Sequence, residues 1–189
     1  IGTEGGGLNY YNRRTREFKW YRPQEGRNSI SHNNVKALYY DADKEIIWIG
    51  THLGGLNKLD IRSGHFTHYR MEEGNPNTLP SDIIRDIIPY KSLLIIATQN
   101  GVCLFDPANG QCQQLFKDSK EGKSIKMVAD VTFDSEGTLW IAATGEGVFS
   151  YRFDTCKLTN YRHDATNPNS LSNNNVNNIT QDSKGNLWF

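Results

Sequence analysis

No apolar run in this chain approaches the roughly 18–20 residues that cross a membrane, so no membrane contact is expected within the segment. Charge of one sign is missing too. Lys+Arg and Asp+Glu are both 21, a formal net charge of zero, which argues against a nucleic-acid binder with its basic face. Cysteine is scarce. Three residues, Cys103, Cys112 and Cys156, supply neither a disulfide framework nor metal-ligand spacing. There is no nucleophile elbow, zinc motif or phosphate loop, and no cofactor or metal site is expected. Signals for helices are nearly absent. No secretion-signal pattern opens the chain, which by itself decides little.

What is present is repetition. Trp48-Ile49-Gly50-Thr51-His52-Leu53-Gly54-Gly55-Leu56-Asn57 returns with variations. Ile1-Gly2-Thr3 with Gly6-Gly7-Leu8-Asn9 is the same stretch without its tryptophan. Ile95-Ile96-Ala97-Thr98 with Gly101-Val102 is a weaker copy, and Trp140-Ile141-Ala142-Ala143 with Gly147-Val148 another. Trp188-Phe189 opens one more. Four columns hold register: Leu8, Leu56, Val102, Val148; Tyr21, Tyr69, Phe116, Tyr161; Val35, Ile84, Val128, Val176; and Trp48, Ile95, Trp140, Trp188, with spacings of 44 to 49 residues. A period in the forties built of short β-rich pieces indicates a β-propeller. The fold class expected is all-β, with four-stranded antiparallel blades and about four repeats. Residues 1–189 then form one propeller fragment of a longer protein: a partial blade at 1–21, blades at about 35–70, 84–116 and 128–161, and a partial blade at 175–189.

The unit from Val35 to Tyr69 illustrates a blade. Val35–Tyr40, Ile46–Thr51, Leu56–Asp60 and Phe66–Arg70 read as strands a to d, joined by turns at 41–44, 54–55 and 62–64. Asp134-Ser135-Glu136-Gly137 and Asp182-Ser183-Lys184-Gly185 are a–b turns in which Asp bonds backbone two residues on and Gly supplies positive φ. Longer crossovers join each d to the next a. Three of them carry Asn28-Ser29-Ile30-Ser31, Asn77-Thr78-Leu79-Pro80 and Asn169-Ser170-Leu171-Ser172, whose single apolar residue is expected to tuck between blades. A meander reverses at every strand, so these crossovers and the b–c turns share one face. Tryptophan at the head of strand b is expected to fill the wedge between blades.

If Asp106 pairs with Gln111, Cys112 lies opposite Phe105 and Cys103 lies diagonal to it. Diagonal neighbours are about 7–8 Å apart, beyond an unstrained disulfide, so free thiols are expected. Candidate ligand groups belong on the long-loop face or its central mouth: His52, Arg85, Asp86, Asp130 and Thr144. No catalytic residue is assigned. The histidines at 32, 52, 65, 68 and 163 fall at turns and on outer strands, a poor arrangement for acid–base catalysis. A propeller lyase or glycosidase needs paired acid/base groups at a shared mouth, and it remains an alternative, as does a ligand-free interaction scaffold.

Asn173-Asn174-Asn175-Val176-Asn177-Asn178-Ile179-Thr180-Gln181-Asp182-Ser183-Lys184-Gly185-Asn186-Leu187-Trp188, continued by Ile-Gly-Thr-x-x-Gly-Gly-Leu-Asn and by Gly64-His65-Phe66-Thr67-His68-Tyr69, resembles the two-component regulator propeller repeat. The third unit departs most, with Ile95 in place of tryptophan and the single Gly101. The resemblance implies the periplasmic sensor region of a Bacteroides-type hybrid two-component regulator, an inner-membrane protein whose parent chain carries a histidine kinase. It also implies an oligosaccharide breakdown product as ligand and a dimeric signalling unit, with no enzymatic role for the segment itself. About four blades leave open sheet edges, which invite pairing. Closure into one composite blade, or pairing with a second copy into an eight-blade ring, would satisfy them.

Overall fold

A computed structural model describes residues 1–189. Seventeen short strands form five antiparallel meanders. The first holds β1 (Gly2–Thr3), β2 (Gly7–Asn12) and β3 (Glu17–Tyr21). The second holds β4 (Val35–Asp41), β5 (Ile46–Thr51), β6 (Leu56–Asp60) and β7 (Phe66–Tyr69). The third holds β8 (Ile84–Tyr90), β9 (Leu93–Thr98), β10 (Gly101–Phe105) and the short β11 (Cys112–Gln114). The fourth holds β12 (Val128–Phe133), β13 (Leu139–Ala143), β14 (Gly147–Arg152) and β15 (Lys157–Tyr161). The fifth pairs only β16 (Thr180–Gln181) with β17 (Leu187–Trp188). One 3-10 turn, Gly122–Ser124, is the sole helical element.

The sheets pack in series. β4 touches β8 and β8 touches β12, so the first strands of the complete sheets line one inner side; β1, which matches the end of β5, touches β4 as β5 touches β8. Both faces of a middle sheet are buried, which explains the near-continuous apolar runs of β5 and β9. Trp48 is 1% exposed and packs among Leu94, Ile96 and Phe105 of the following sheet. Its ring meets Phe105 edge-on at 5.3 Å and Tyr69 at 5.9 Å. Ile95 keeps the same position buried with a smaller side chain. Ile30 and Leu79, the single apolar residues of two crossovers, are buried between sheets.

The a–b turns behave as their sequence requires. The Asp134 carboxylate accepts from the N–H groups of Glu136 (3.0 Å) and Thr138 (2.9 Å), and from the Trp140 indole at 2.7 Å. Asp182 repeats this with Lys184, Asn186 and the Trp188 indole. The Asn186 amide and the Trp188 indole together hold its carboxyl down, to about 2. These bonds tie the turn to the tryptophan at the head of the next strand.

Three features differ from the sequence reading. Phe116 is not the partner of the Tyr21–Tyr69–Tyr161 column. Leu8, Leu56 and Val148 pair with those tyrosines, but Val102 receives the N–H of Leu115. Phe116 sits one residue on at φ 63° and packs against Tyr151 instead. Second, the last unit does not form strand a from Asn175. In complete sheets the head of a pairs with the tail of b, as Val35 does with Thr51; with β17 limited to Leu187–Trp188, only Thr180–Gln181 can pair. Third, every full first strand carries a β-bulge near its head, at Lys36, Arg85 and Ala129.

Candidate functional site

The bulges set the register at the heads of the first strands. An extra residue in one strand bends it and re-aims its neighbours. Arg85 is the extra residue of β8, Asp86 follows it, and Asp130 occupies the same place in β12. The column then reads Ala37, Asp86, Asp130, Asn178.

The two carboxylates are brought together. Asp86 accepts from its neighbour Ile87 N–H at 2.8 Å and, with its other oxygen, from Val131 N–H of the next sheet at 3.4 Å. Asp130 accepts from Ile179 N–H at 2.6 Å, one sheet further on. Each therefore reaches across a blade boundary to backbone. Burial pushes the Asp86 carboxyl up to about 6, and Asp130 beside it adds to the rise, against the two backbone N–H groups.

The folded-state value of Asp86 lies above an ordinary carboxylate, near 3.9, so the native state holds the extra proton. Stability from this group is full below about pH 4 and is lost as pH rises through about 6. Asp86→Asn is expected to stabilise the chain at pH 8 by on the order of 2 kcal/mol, seen as a higher melting temperature, with the gain shrinking below pH 4. Thermal melts across that range measure it; an equal effect at both ends contradicts the assignment.

The other candidates lie apart. His52 follows β5, and its N–H donates to Asn34 O at 2.9 Å. Its Nδ1 is enclosed without a hydrogen-bond partner. His32 faces it edge-on, 6.5 Å between ring centroids. Partial burial, then His52 and Arg70, lower the His32 pKa. Arg85 is half-buried and makes no ion pair. Thr144 is exposed, and its N–H donates to Met127 O at 3.2 Å. No side-chain hydrogen bond joins Arg85 or Thr144 to the carboxylate pair.

Several polar residues that sequence reasoning passed over hold the loops of this face. Asp82 accepts from Met71 N–H at 2.7 Å, and Asn174 does the same for His163 N–H at 2.7 Å. Their own carbonyls take the N–H groups of Gly55 and Gly147. Both stand two residues before the Val35, Ile84, Val128, Val176 column, so their own column is readable. Arg70 bonds Leu53 O and Asp82, while Arg162 bonds Gly145 O and pairs with Glu146. Lys36 pairs with Glu4 across the first blade boundary at 3.3 Å. In its sheet Arg85 occupies the place of Lys36, and His52 that of Glu4.

The model of the two component regulator propeller matches residues 29–52 and 170–189. Two segments of this chain are thus similar to the two-component regulator propeller repeat. The first match runs from a crossover through β4 and β5 to His52, and the second covers the last crossover and the β16–β17 hairpin. No curated protein matches the sequence. Among solved structures, the extracellular domain of a hybrid two component system from B. thetaiotaomicron is 22% identical, with a TM-score of 0.78 over 99% of this chain and 24% of its own. A second such domain from the same organism is 23% identical, with a TM-score of 0.71 over 100% of this chain and 30% of its own. The computationally designed protein Ika4 is 16% identical, with a TM-score of 0.52 over 90% of this chain and 96% of its own. These likenesses establish a shared fold. The propeller repeats here span only about a quarter to a third of the two extracellular domains.

Proposed function

We propose that this chain is part of the periplasmic sensing region of a hybrid two-component regulator, and that its long-loop face recognises a carbohydrate-derived ligand. The parent protein then carries a membrane helix and a histidine kinase, and the segment itself recognises rather than catalyses. The observation that carries the reading is the repeat match, on a fold shared with extracellular domains of hybrid two component systems. The polar groups of the face support the ligand class. His52 Nδ1 lacks a partner, Arg85 makes no ion pair, and Asp86 and Asp130 present carboxyls along the inner strands. Sugar hydroxyls both donate and accept, and an oriented set of such groups is what fixes a polar ligand in a site.

The proposed signalling unit is a homo-oligomer, with the open sheet ends as one contact. Trp188 is 62% exposed at one end. At the other, a cleft of about 780 Å³ is lined by Tyr21, Ile47 and Leu59. These residues occupy the positions of Tyr69, Leu94 and Phe105, which enclose Trp48. The occupant proposed is Trp188 of a second copy.

Thermal melts with an oligosaccharide panel test the ligand. A saturable rise is expected, about 2.7 kcal/mol at a hundredfold excess over Kd, and it should disappear in the His52→Ala/Arg85→Ala double variant, whose melt without sugar is unchanged. No rise with any oligosaccharide, or appearance of a cleaved product, rejects the reading. Light scattering on the same sample reads the assembly. A mass of one chain at all concentrations removes the second-copy contact.

A further inference from the structure

Cys103 and Cys112 lie on adjacent strands of the β10–β11 hairpin. The register is Phe105 with Cys112 and Cys103 with Gln114, so the cysteines are diagonal neighbours on one face. All three cysteines of the chain are free thiols in this structure. Yet the Cys103 and Cys112 sulfurs are 3.2 Å apart, both buried, at 0% and 3% exposure. That is closer than two unbonded sulfurs ordinarily pack, and about an ångström beyond a disulfide bond. The β-rich core around them, with Trp48, Leu56, Phe105 and Leu94, is apolar.

We propose that Cys103 and Cys112 form a cross-strand disulfide when the protein meets a small-molecule or protein disulfide oxidant. The proposal is independent of the sensing role. Diagonal partners on a rigid antiparallel pair sit near or beyond the usual Cα limit for a disulfide. Here the pair is not rigid. β11 is the outermost strand of its sheet, three residues long, and is paired on one side only. Its counterparts β7 and β15 have four and five residues. A shift of β11 toward β10 closes the remaining gap without moving β9 or β8. The cost is borne at Cys112 N–H, which donates to Asn77 O of the preceding crossover at 2.8 Å.

The route is two exchanges. Opening of β11 exposes Cys112, which loses its proton and attacks one sulfur of an oxidant R–S–S–R. A mixed disulfide forms and one RS⁻ leaves. As β11 recloses, Cys103 gives up its proton and attacks the Cys112 sulfur, and the second RS⁻ leaves. Two protein thiols are oxidised, one R–S–S–R is reduced, and the two protons go to the two RS⁻. Burial, with Cys112 alongside, pushes the Cys103 thiol well above its usual range. Few Cys103 thiolates are therefore present at any moment, and the second exchange depends on the sulfurs being held together.

The test uses the Cys156→Ser protein, which removes the exposed thiol, and oxidised glutathione at pH 8. After unfolding and treatment with N-ethylmaleimide, intact mass should show no alkylation and no glutathione, two hydrogens lighter than the reduced chain. Reduction should restore two alkylated sites, and a digest should give the 103–112 linked peptide. The oxidised form should melt a few degrees higher than the reduced. Two alkylated thiols after oxidation overturn the proposal, as does a glutathione adduct on Cys112 that never closes. The additional Cys103→Ser change is the control: it should leave Cys112 as an adduct or a thiol, never as the lighter species.

Discussion

Trp48→Ala is expected to lower the stability of the chain by about 3–5 kcal/mol. Burying the indole is itself worth roughly 2–3 kcal/mol, and its loss leaves a cavity walled by three elements that cannot all move. Phe105 is fixed in β10, Tyr69 in β7 and Leu94 in β9, and the ring contacts two of them at 5.3 and 5.9 Å. At concentrations where light scattering reads a single chain, the same change at Trp188, 62% exposed, should cost a small fraction of this. Urea melts of both variants measure the contrast. Equal losses would mean that the tryptophan column does not close the blade boundary.

Gly147→Ala is expected to cost on the order of 3 kcal/mol. Gly147 opens β14 at φ 80°, and a Cβ built on it would stand 2.2 Å from the backbone oxygen of Tyr161. Left-handed backbone alone costs an L-residue roughly 1–2 kcal/mol. The rest is the displaced carbonyl, which lies at the paired end of β15 and cannot rotate away like a side chain. Gly7 and Gly55 meet Tyr21 and Tyr69 in the same way, at 2.2 and 2.3 Å. Gly137 separates the two causes: its φ is 78°, but nothing lies within 4 Å of its added Cβ. Gly137→Ala should therefore lose only the conformational part, about 1 kcal/mol. A Gly147 variant no worse than the Gly137 variant contradicts the close-approach account.

The contrast shows what a repeat makes legible. Columns of buried residues were readable because each blade boundary imposes the same demand at the same register. Trp48, Leu56, Val35 and Ile84 answer it with large or branched apolar side chains. The Asp134 and Asp182 turns were readable because they are local. Failures came where a local irregularity interrupts the period. Phe116 matched the tyrosine column by type and spacing, but the shortened β11 moved that role to Leu115. The bulges at Lys36, Arg85 and Ala129 leave no composition signal, since any residue can occupy them. In the sequence, Arg85, Asp86 and Asp130 stand out only as polar residues near strand heads. That Asp86 and Asp130 face each other across a blade boundary required the register. The proximity of the Cys103 and Cys112 sulfurs was hidden because diagonal spacing speaks for the backbone and not for where side chains lean.

The serial contact of inner strands, β4 on β8 and β8 on β12, has a consequence for how such proteins change length. Each boundary is made of the same columns, so a duplicated unit arrives with both of its interfaces already complementary to its neighbours. No compensating substitution is needed for the insertion to pack, and stability grows roughly in proportion to the number of boundaries. What an added unit alters is the curvature of the arc and the width of its mouth. Under the proposed sensing role, blade count becomes a coarse dial on the size of whatever the mouth admits, and the bulge residues a fine one.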